Sequence, residues 1–263
     1  MNSQQQSIEQ KLAATRRLYG EDGLQRIRAA HVCVVGLGGV GSWTVEALAR
    51  TGLGALTLVD LDEICLSNIN RQVHALESTV GQFKASALAE RIRLIAPDCK
   101  VRQELTFLTS SNVDPLLQGG FDYVVDAIDV TRHKACLIAA CKLRSIPIVT
   151  CSGAGGRIDP TQIRVCDLAQ TRNDPLAAQV RRLLRREYGF PRGEKKRFKV
   201  PCVCSEESLR FPKADGSICE ERETNGNYRL NCDFGFGSSA AVTGAFGFAL
   251  AAQVLQGITE STP

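Results

Sequence analysis

The sequence predicts an α/β protein built on a Rossmann-like, doubly wound, mostly parallel sheet, with a basic insertion near the C-terminus. Three observations carry this. Residues 31–62 read as one strand–helix–strand unit around a glycine-rich turn. Buried-strand runs then alternate with helical patterns to about residue 166. Beyond Asp167 the composition turns strongly basic, before a long apolar stretch closes the chain.

In chain order, residues 7–18 have the spacing of an amphipathic helix that stops at Tyr19-Gly20, with Arg16 and Arg17 as helix-end cations. Val32-Cys33-Val34-Val35 is a short apolar run, the signature of a strand buried on both faces. Gly36, Gly38, Gly39 and Gly41 follow in a G-x-G-G-x-G turn. Lacking Cβ atoms, they let the backbone approach a phosphate, and the free N–H groups and dipole of a helix starting near Val40 favour an anion there. That helix runs through Arg50 and stops at Gly52 and Gly54. Leu56-Thr57-Leu58-Val59 is the next strand. It delivers Asp60 about 20 residues past the glycines, where a carboxylate accepts both hydroxyls of a ribose. Strand, turn, helix, strand and acid in register imply a ligand with a ribose and phosphates.

Ile64–Val73 is too polar and asparagine-rich for a core element. Gln82–Ile95 reads as a helix with Lys84 in its first turn, where the dipole disfavours a cation unless an anion lies close. Val101–Phe107 has the pattern of a strand, ending before the polar turn Thr109–Asn112. Phe121–Val125 is a further buried strand that ends in Asp126-Ala127-Ile128-Asp129; carboxylates at such strand tips face the ligand crevice. A helix over Thr131–Leu143, a strand over Ile146–Thr150 and a loop with Gly153, Gly155 and Gly156 complete the alternation. The single domain 1–263 thus divides into a nucleotide-binding core (31–166), the basic insertion (171–230) and an apolar helix that returns to the core (234–258).

With 263 residues, 44% hydrophobic and 23% charged, the chain has the composition of an ordinary soluble protein, and a net charge of +4 is too mild to imply nucleic-acid binding by itself. Eleven scattered cysteines, an odd number, argue against a secreted disulfide framework, and residues 1–30 have no apolar segment of the kind an export signal needs. The expected compartment is the cytoplasm. The stretch 238–257 is apolar enough to suggest a membrane span. It is also rich in glycine and alanine and carries Gln253 and Gln256, so a helix packed in the core, with no membrane contact, is expected.

Positive charge is concentrated in Val180–Val200, where Arg181, Arg182, Arg185, Arg186, Arg192, Lys195, Lys196, Arg197 and Lys199 face only Glu187 and Glu194. Tyr188, Phe190 and Phe198 are interleaved, a mixture that suits stacking on unpaired bases and contact with an RNA backbone; a solvated helix and loop is the alternative. Cys202, Cys204, Cys219 and Cys232 fall in or beside this stretch. Their C-x-C spacing is not that of a zinc knuckle and the chain has no C-x-x-C pair, so zinc is not expected.

Taken together, the G-x-G-G-x-G-S run at 36–42, Asp60-Leu61-Asp62, Ser67-Asn68-Ile69-Asn70-Arg71-Gln72, Lys84 and Asp126-x-x-Asp129 resemble the ubiquitin-activating-enzyme-like adenylation family, which includes the ThiF and MoeB proteins. The resemblance covers roughly residues 17–157 and implies ATP as the nucleotide. Its binding set here is Gly36, Gly38, Gly39, Gly41, Asp60, Asp62, Asn68, Arg71, Gln72, Lys84, Asp126 and Asp129. In that set Asp60 holds the ribose, Asn68, Arg71 and Lys84 hold the triphosphate, and Asp129 holds Mg²⁺. Arg17, just before Leu18-Tyr19-Gly20, with its neighbour Arg16 as the alternative, matches an arginine that reaches the phosphates, in some relatives across a dimer interface. Asp129, Arg71, Lys84 and Arg17 are then the catalytic set, and a monovalent cation is compatible with it. The shared reaction is attack of a carboxylate on the α-phosphate of ATP, giving an acyl adenylate and pyrophosphate.

Family members that act on the C-terminal glycine of a sulfur-carrier protein commonly carry two C-x-x-C zinc pairs, which are absent here. The chain is more similar to the branch that dehydrates tRNA threonylcarbamoyladenosine. Arg17-Leu18-Tyr19-Gly20, the run from Asn70 to Leu76, Gly153–Gly156 with Asp159–Gln162, Asp174-Pro175-Leu176-Ala177 and the turn Gly235-Phe236-Gly237 carry that likeness over nearly the whole chain. It implies adenylation of the carboxylate of N6-threonylcarbamoyladenosine beside the anticodon. The modification's own ureido group then closes the ring, AMP leaves, and no enzyme thiol is needed. It also implies tRNA as the partner of Arg181, Arg182, Arg185, Arg186, Lys195, Lys196 and Arg197, a homodimer, and association with a cysteine desulfurase and its sulfur acceptor. Cys202 and Cys232 are candidate thiols, set against a reading as small buried hydrophobes. The alternative activity is adenylation of the C-terminal glycine of a ubiquitin-like sulfur carrier. A dehydrogenase would use the same acid-tipped strand for NAD, but gives Asn68, Arg71, Lys84 and Asp129 no role.

Overall fold

The structure, a computed structural model, describes residues 3–193, 195–213, 215–219 and 236–260. Helix α1 (Ser3–Ala29) is longer than the spacing of residues 7–18 predicts. Gly20, at φ 74° and ψ 176°, breaks it where the sequence ends the helix, and a second helical stretch continues to Ala29. Strand β1 (His31–Val35), helix α2 (Gly41–Thr51) and strand β2 (Ala55–Val59) form the expected unit. Gly52 closes α2: its φ of 93° turns its N–H back to the carbonyls of Leu48 and Ala49.

There follow α3 (Lys84–Ile95), β3 (Lys100–Glu104), the single turn α4 (Val113–Leu116), β4 (Tyr123–Asp126), α5 (Thr131–Leu143) and β5 (Ile148–Cys151). Beyond them lie β6 (Ile163–Asp167), α6 (Pro175–Glu187), β7 (Pro201–Ser205), the short pair β8 (Phe211–Pro212) and β9 (Ile218–Cys219), and α7 (Ala240–Glu260).

Seven strands make one sheet in the order β3-β2-β1-β4-β5-β7-β6, parallel throughout except for β6, which runs antiparallel to β7. This is the α/β, Rossmann-like, mostly parallel architecture that the sequence predicts. The chain steps from β1 outward to β2 and β3, then returns to the other side of β1 with β4. The C-terminal ends of β1, β2 and β4 therefore open a crevice at the switch point. Alternate strand residues serve two apolar layers. On one face Val32, Val34, Leu56 and Leu58 join Val45 and Leu48 of α2, Leu88 and Ile92 of α3, and Phe246, Leu250 and Val254 of α7. On the other, Cys33, Val35 and Val124 join Leu137, Ile138 and Cys141 of α5 and Val180 and Leu184 of α6.

By length and composition α7 could cross a membrane, yet half of its most apolar window is buried inside the protein. Its Val242, Phe246, Leu250 and Val254 are fully covered by the core, as the core-helix reading expects. Gly247 permits the close approach: a Cβ there would lie 2.6 Å from the carbonyl oxygen of Val40. Burial of such side chains stabilises by about 1.5–3 kcal/mol each.

The outline of the insertion is corrected by the sheet. Pro201–Ser205 runs between β5 and β6, and α6 lies on the same apolar layer as α5. Both elements sit inside 171–230, yet they belong to the sheet and its helical cover rather than to a separate insertion. The physical reason is the apolar stripe of Ala177, Val180 and Leu184 and the buried strand residues Cys202, Val203 and Cys204, which outweigh the basic outer face. Residues 220–230 of that stretch, and 234–235 ahead of the apolar helix, lie outside the described residues.

Candidate functional site

The strand ends at the switch point surround a cleft of about 720 Å³. Gly36, Gly38, Gly39, Asp60, Asp62, Asn68, Arg71, Gln72, Lys84 and Asp129 all line it. These residues come from five separate parts of the chain, and the parallel sheet brings them together because every contributing loop follows the C-terminal end of a strand.

The glycine turn is held between β1 and the loop after β4. Gly36 has φ 88°, and a Cβ there would meet the carbonyl oxygen of Ala127 at 2.7 Å. No side chain among the described residues caps the N-terminus of α2, and of its first-turn N–H groups that of Ser42 donates to the Gly38 carbonyl at 3.1 Å. Gly41 has a different job from the one its motif suggests: it does not line the cleft, and a Cβ on it would lie 1.9 Å from the carbonyl oxygen of Gly36. It is the glycine of close turn–helix packing. Asp60 fixes the turn to β2, because its carboxylate accepts the Leu37 N–H at 2.7 Å and the Asp62 N–H at 2.9 Å. It is nearly covered yet still on the cleft wall.

The polar stretch that follows β2 is an ordered wall. Asn68 accepts the Cys65 N–H at 3.2 Å, which closes a 3₁₀ turn over Leu66–Asn68. Arg71 donates to the Ser67 carbonyl at 2.8 Å, while its own carbonyl accepts from the Trp43 indole and the Thr243 hydroxyl. Gln72 is buried with its Oε1 unpartnered, and its Nε2 lies 4.0 Å from where a Cβ on Gly38 would sit. The Lys84 ammonium donates to Asp62 at 2.7 Å, so Asp62 supplies the anion that a lysine in the first turn of a helix requires.

Asp126 is corrected from ligand-binding residue to foundation. It is fully buried and does not line the cleft. Its Oδ2 accepts from the Lys134 ammonium at 3.0 Å and the Thr150 hydroxyl at 2.7 Å, and its Oδ1 accepts the Ile128 N–H at 3.1 Å. Lys134 also donates to the Ile128 carbonyl at 3.0 Å. The pair therefore braces the turn from Ala127 to Asp129, whose last carboxylate is exposed on the cleft. Lys134 escaped the sequence reading although its signal was there: it shares a helical stripe with Ile138 and Cys141, where a lysine has no solvent to reach.

Other parts of the wall lie too far away in sequence to be read from spacing. Phe107, Leu108, Ser152–Gly155, Leu176, Ser238 and Thr243 line the cleft too, with Val130 and His133 just past Asp129. Gly153 donates to Asp174 at 3.0 Å, and Asp174 in turn pairs with the buried Arg157 at 3.1 Å.

Several expected residues stand elsewhere. Arg17 is exposed on α1, outside the cleft of its own chain, and Arg16 is tied to Glu21 at 3.1 Å. Of the basic residues, Arg182, Arg186, Lys195, Lys196 and Arg197 are exposed. Arg181 is half-buried against Thr171, and Arg185 lies over the Phe198 ring at 5.2 Å from its centre. Phe198 is buried and meets Phe190 edge-on, so these two rings serve the core and not a stacking platform. Cys202 is fully buried in the α5–α6 layer, and burial pushes its thiol well up. Cys232 lies outside the described residues.

The model of the ThiF family matches residues 10–263. A tRNA threonylcarbamoyladenosine dehydratase of Escherichia coli (strain K12) is 50% identical over 248 residues, covering 94% of this chain and 92% of that protein. One from Haemophilus influenzae is 45% identical over 249 residues, covering 95% and 93%. Among solved structures, E. coli TcdA in complex with ATP superposes with a TM-score of 0.85 at 47% identity, covering 95% of this chain and 94% of that one.

Proposed function

This chain belongs to the ThiF family, and from that premise we propose that it is an ATP-dependent tRNA threonylcarbamoyladenosine dehydratase. The observation that carries this is one cleft lined by a phosphate-approachable glycine turn, Asp60, Arg71, Lys84 and Asp129. The chain around it is 50% identical to a dehydratase over nearly its whole length and shares its fold with a structure in complex with ATP.

Asp60 has lone pairs beyond those taken by its two backbone donors, and these suit the ribose hydroxyls. Arg71 and Lys84 suit the phosphates, where they offset the charge that builds as the α-phosphate is attacked. Asp129 makes no hydrogen bond or ion pair among the described residues and stands on the cleft surface, which fits a carboxylate that holds Mg²⁺. When bound, Mg²⁺ supplies neutralisation of phosphate charge. The threonyl carboxylate of the modified base attacks the α-phosphate, and pyrophosphate leaves. The ureido group of the same base then attacks the activated carboxyl; the ring closes and AMP leaves. Both reacting groups of the second step arrive on one substrate, so positioning replaces a covalent enzyme intermediate, in keeping with the burial of Cys202.

The reading extends to the assembly. Exposed Arg182, Arg186, Lys195, Lys196 and Arg197 suit tRNA phosphates. Leu66, Ile69, Leu76, Val80 and Phe83 expose apolar side chains on the segment that walls the cleft, a surface that a second copy would cover while its Arg17 reaches the phosphates. The enzyme then acts in the cytoplasm as a homodimer, with the cysteine desulfurase and sulfur acceptor that the family resemblance implies as further partners.

The test is mass analysis of nucleosides from tRNA carrying threonylcarbamoyladenosine, after incubation with the protein, ATP and Mg²⁺. Loss of one water from that nucleoside with AMP formed is expected, and Asp129→Ala should abolish it while the fold stays intact. No loss of water, with ATP consumed only when a carrier protein ending in Gly-Gly is added, would replace this reading by sulfur-carrier activation.

A further inference from the structure

The outer edge of the sheet carries a feature that the adenylation chemistry does not use. β6 and β7 pair antiparallel, with Arg164 opposite Cys204 and Cys166 opposite Cys202. Side chains alternate along a strand, so all four share one face. The Sγ atoms of Cys166 and Cys204 are 3.4 Å apart, in contact, and about 1.4 Å beyond the disulfide bond length of about 2.05 Å. Cys204 is buried, whereas Cys166, on the edge strand, is half-exposed. Arg164 brings its guanidinium to the same pair and is itself fixed by Glu206.

We propose that Cys166 and Cys204 form an oxidisable dithiol, a modification site whose reagent is a small peroxide and whose product is an intrachain disulfide that ties the edge strand β6 to β7.

The step balances as follows. Once the pair has lost one proton to solvent, the proton that remains can sit on either sulfur across the 3.4 Å contact, so either one can carry the thiolate. With the shared proton on Cys204, the half-exposed Cys166 thiolate attacks hydrogen peroxide; the O–O bond breaks, Cys166 becomes a sulfenic acid, and the hydroxide released takes up the proton first lost by the pair, giving one water. The Cys204 sulfur then attacks that sulfur, the S–S bond forms, and hydroxide leaves with the remaining proton as a second water. Two thiols and one peroxide thus give one disulfide and two waters.

The surroundings favour this pair over the other thiols. Hydrogen bonding from Cys166, with the Arg164 guanidinium alongside, pulls Cys204 below the ordinary thiol value, while the same contact and burial push Cys166 up, so the pair gives up its first proton readily and its second reluctantly. Cys33 and Cys202 are pushed up by burial and face the core. Cys65 is exposed and supplies an internal reference. The cross-link also has a route to the cleft: β7 leads into Ser205 and Glu207, whose carbonyl and carboxylate hold Arg157 and the Ile158 and Asp159 amides, and Arg157 pairs with the Asp174 that anchors Gly153.

The test is a time course of hydrogen peroxide on the intact protein, with remaining thiols blocked and peptides mapped by mass. The expected product joins the Cys166 and Cys204 peptides with the loss of two hydrogens, and forms before Cys65 is oxidised. Dithiothreitol reverses it, Cys166→Ser and Cys204→Ser each abolish it, and Cys202→Ser leaves it unchanged. A Cys166–Cys202 link, sulfinic acid at Cys166 without a cross-link, or oxidation of Cys65 ahead of the pair would each overturn the proposal.

Discussion

Replacing Lys134 by methionine removes a buried charge while keeping most of the side-chain volume, and its consequences can be worked from the structure. The Lys134 and Asp126 side chains are 1% and 0% exposed and 3.0 Å apart. Breaking such a pair from one side costs about 3–5 kcal/mol, because the remaining charge stays buried. Two donors to Asp126 survive, the Thr150 hydroxyl and the Ile128 N–H, so a loss near about 3 kcal/mol is expected, a large share of the roughly 5–15 kcal/mol of a typical domain. The sign with pH follows. Burial already holds the Asp126 carboxyl above its ordinary value of 3.8 with the lysine in place. Without the lysine it rises further. A carboxyl raised in the folded state binds more protons there than in the unfolded chain, so stability falls as pH rises through the folded value. The deficit of Lys134→Met at pH 7 should therefore shrink toward pH 5. Asp126→Asn/Lys134→Met, with no charge left, should recover more than half of it. Urea unfolding of the four proteins of this cycle at both pH values is the assay. A loss below about 1 kcal/mol, or a deficit unchanged by pH, would refute the bracing role.

Gly41→Ala places a Cβ 1.9 Å from the Gly36 carbonyl; ATP affinity by calorimetry should fall at least about 10-fold. Charge reversal at Arg182, Arg186, Lys196 and Arg197 should weaken tRNA binding and reduce its salt slope by about one for each phosphate no longer neutralised. The same change at Arg181, held against Thr171, should instead lower the thermal midpoint. His74 is buried with both ring nitrogens unpartnered, and burial, with Lys84 and Arg91 nearby, pushes it down to about 3. A histidine depressed in the folded state contributes stability above 6.5 that is lost as pH falls toward 3, at about 1.4 kcal/mol per pH unit. His74→Leu should flatten that part of the urea-midpoint profile; an unchanged slope would assign the acid sensitivity to other groups.

The fold was legible where one physical signal acts alone. β1, β2 and β4 are apolar runs buried on both faces, and α2 is bracketed by glycines, so pattern and structure agree to within a residue or two. Two signals compete in the 171–230 stretch. Its arginines announce a solvated surface, while Ala177, Val180, Leu184 and the Cys202–Cys204 run are the residues that decide the packing. β7 pairs with β5, about fifty residues earlier in the chain, and such a pairing leaves no local trace.

The site divides on the same principle. A motif says which residue types meet at a strand tip, but not which of them face the ligand and which hold those that do. Asp129 and Asp126 sit three residues apart at the end of one strand; one is open to the cleft, the other is sealed against Lys134 and Thr150. Gly36 and Gly41 belong to one turn, and only the first touches the cavity. What separates the members of each pair is packing that the motif does not show: Lys134 and Thr150 seal Asp126, and the Gly36 carbonyl occupies the space a Cβ on Gly41 would need. A bare strand tip would leave Asp129 on a hinge of two residues. With Lys134 bonded to the Ile128 carbonyl and to Asp126, that carboxylate is presented from a turn fixed at both ends, the preorganisation that the proposed Mg²⁺-holding role requires.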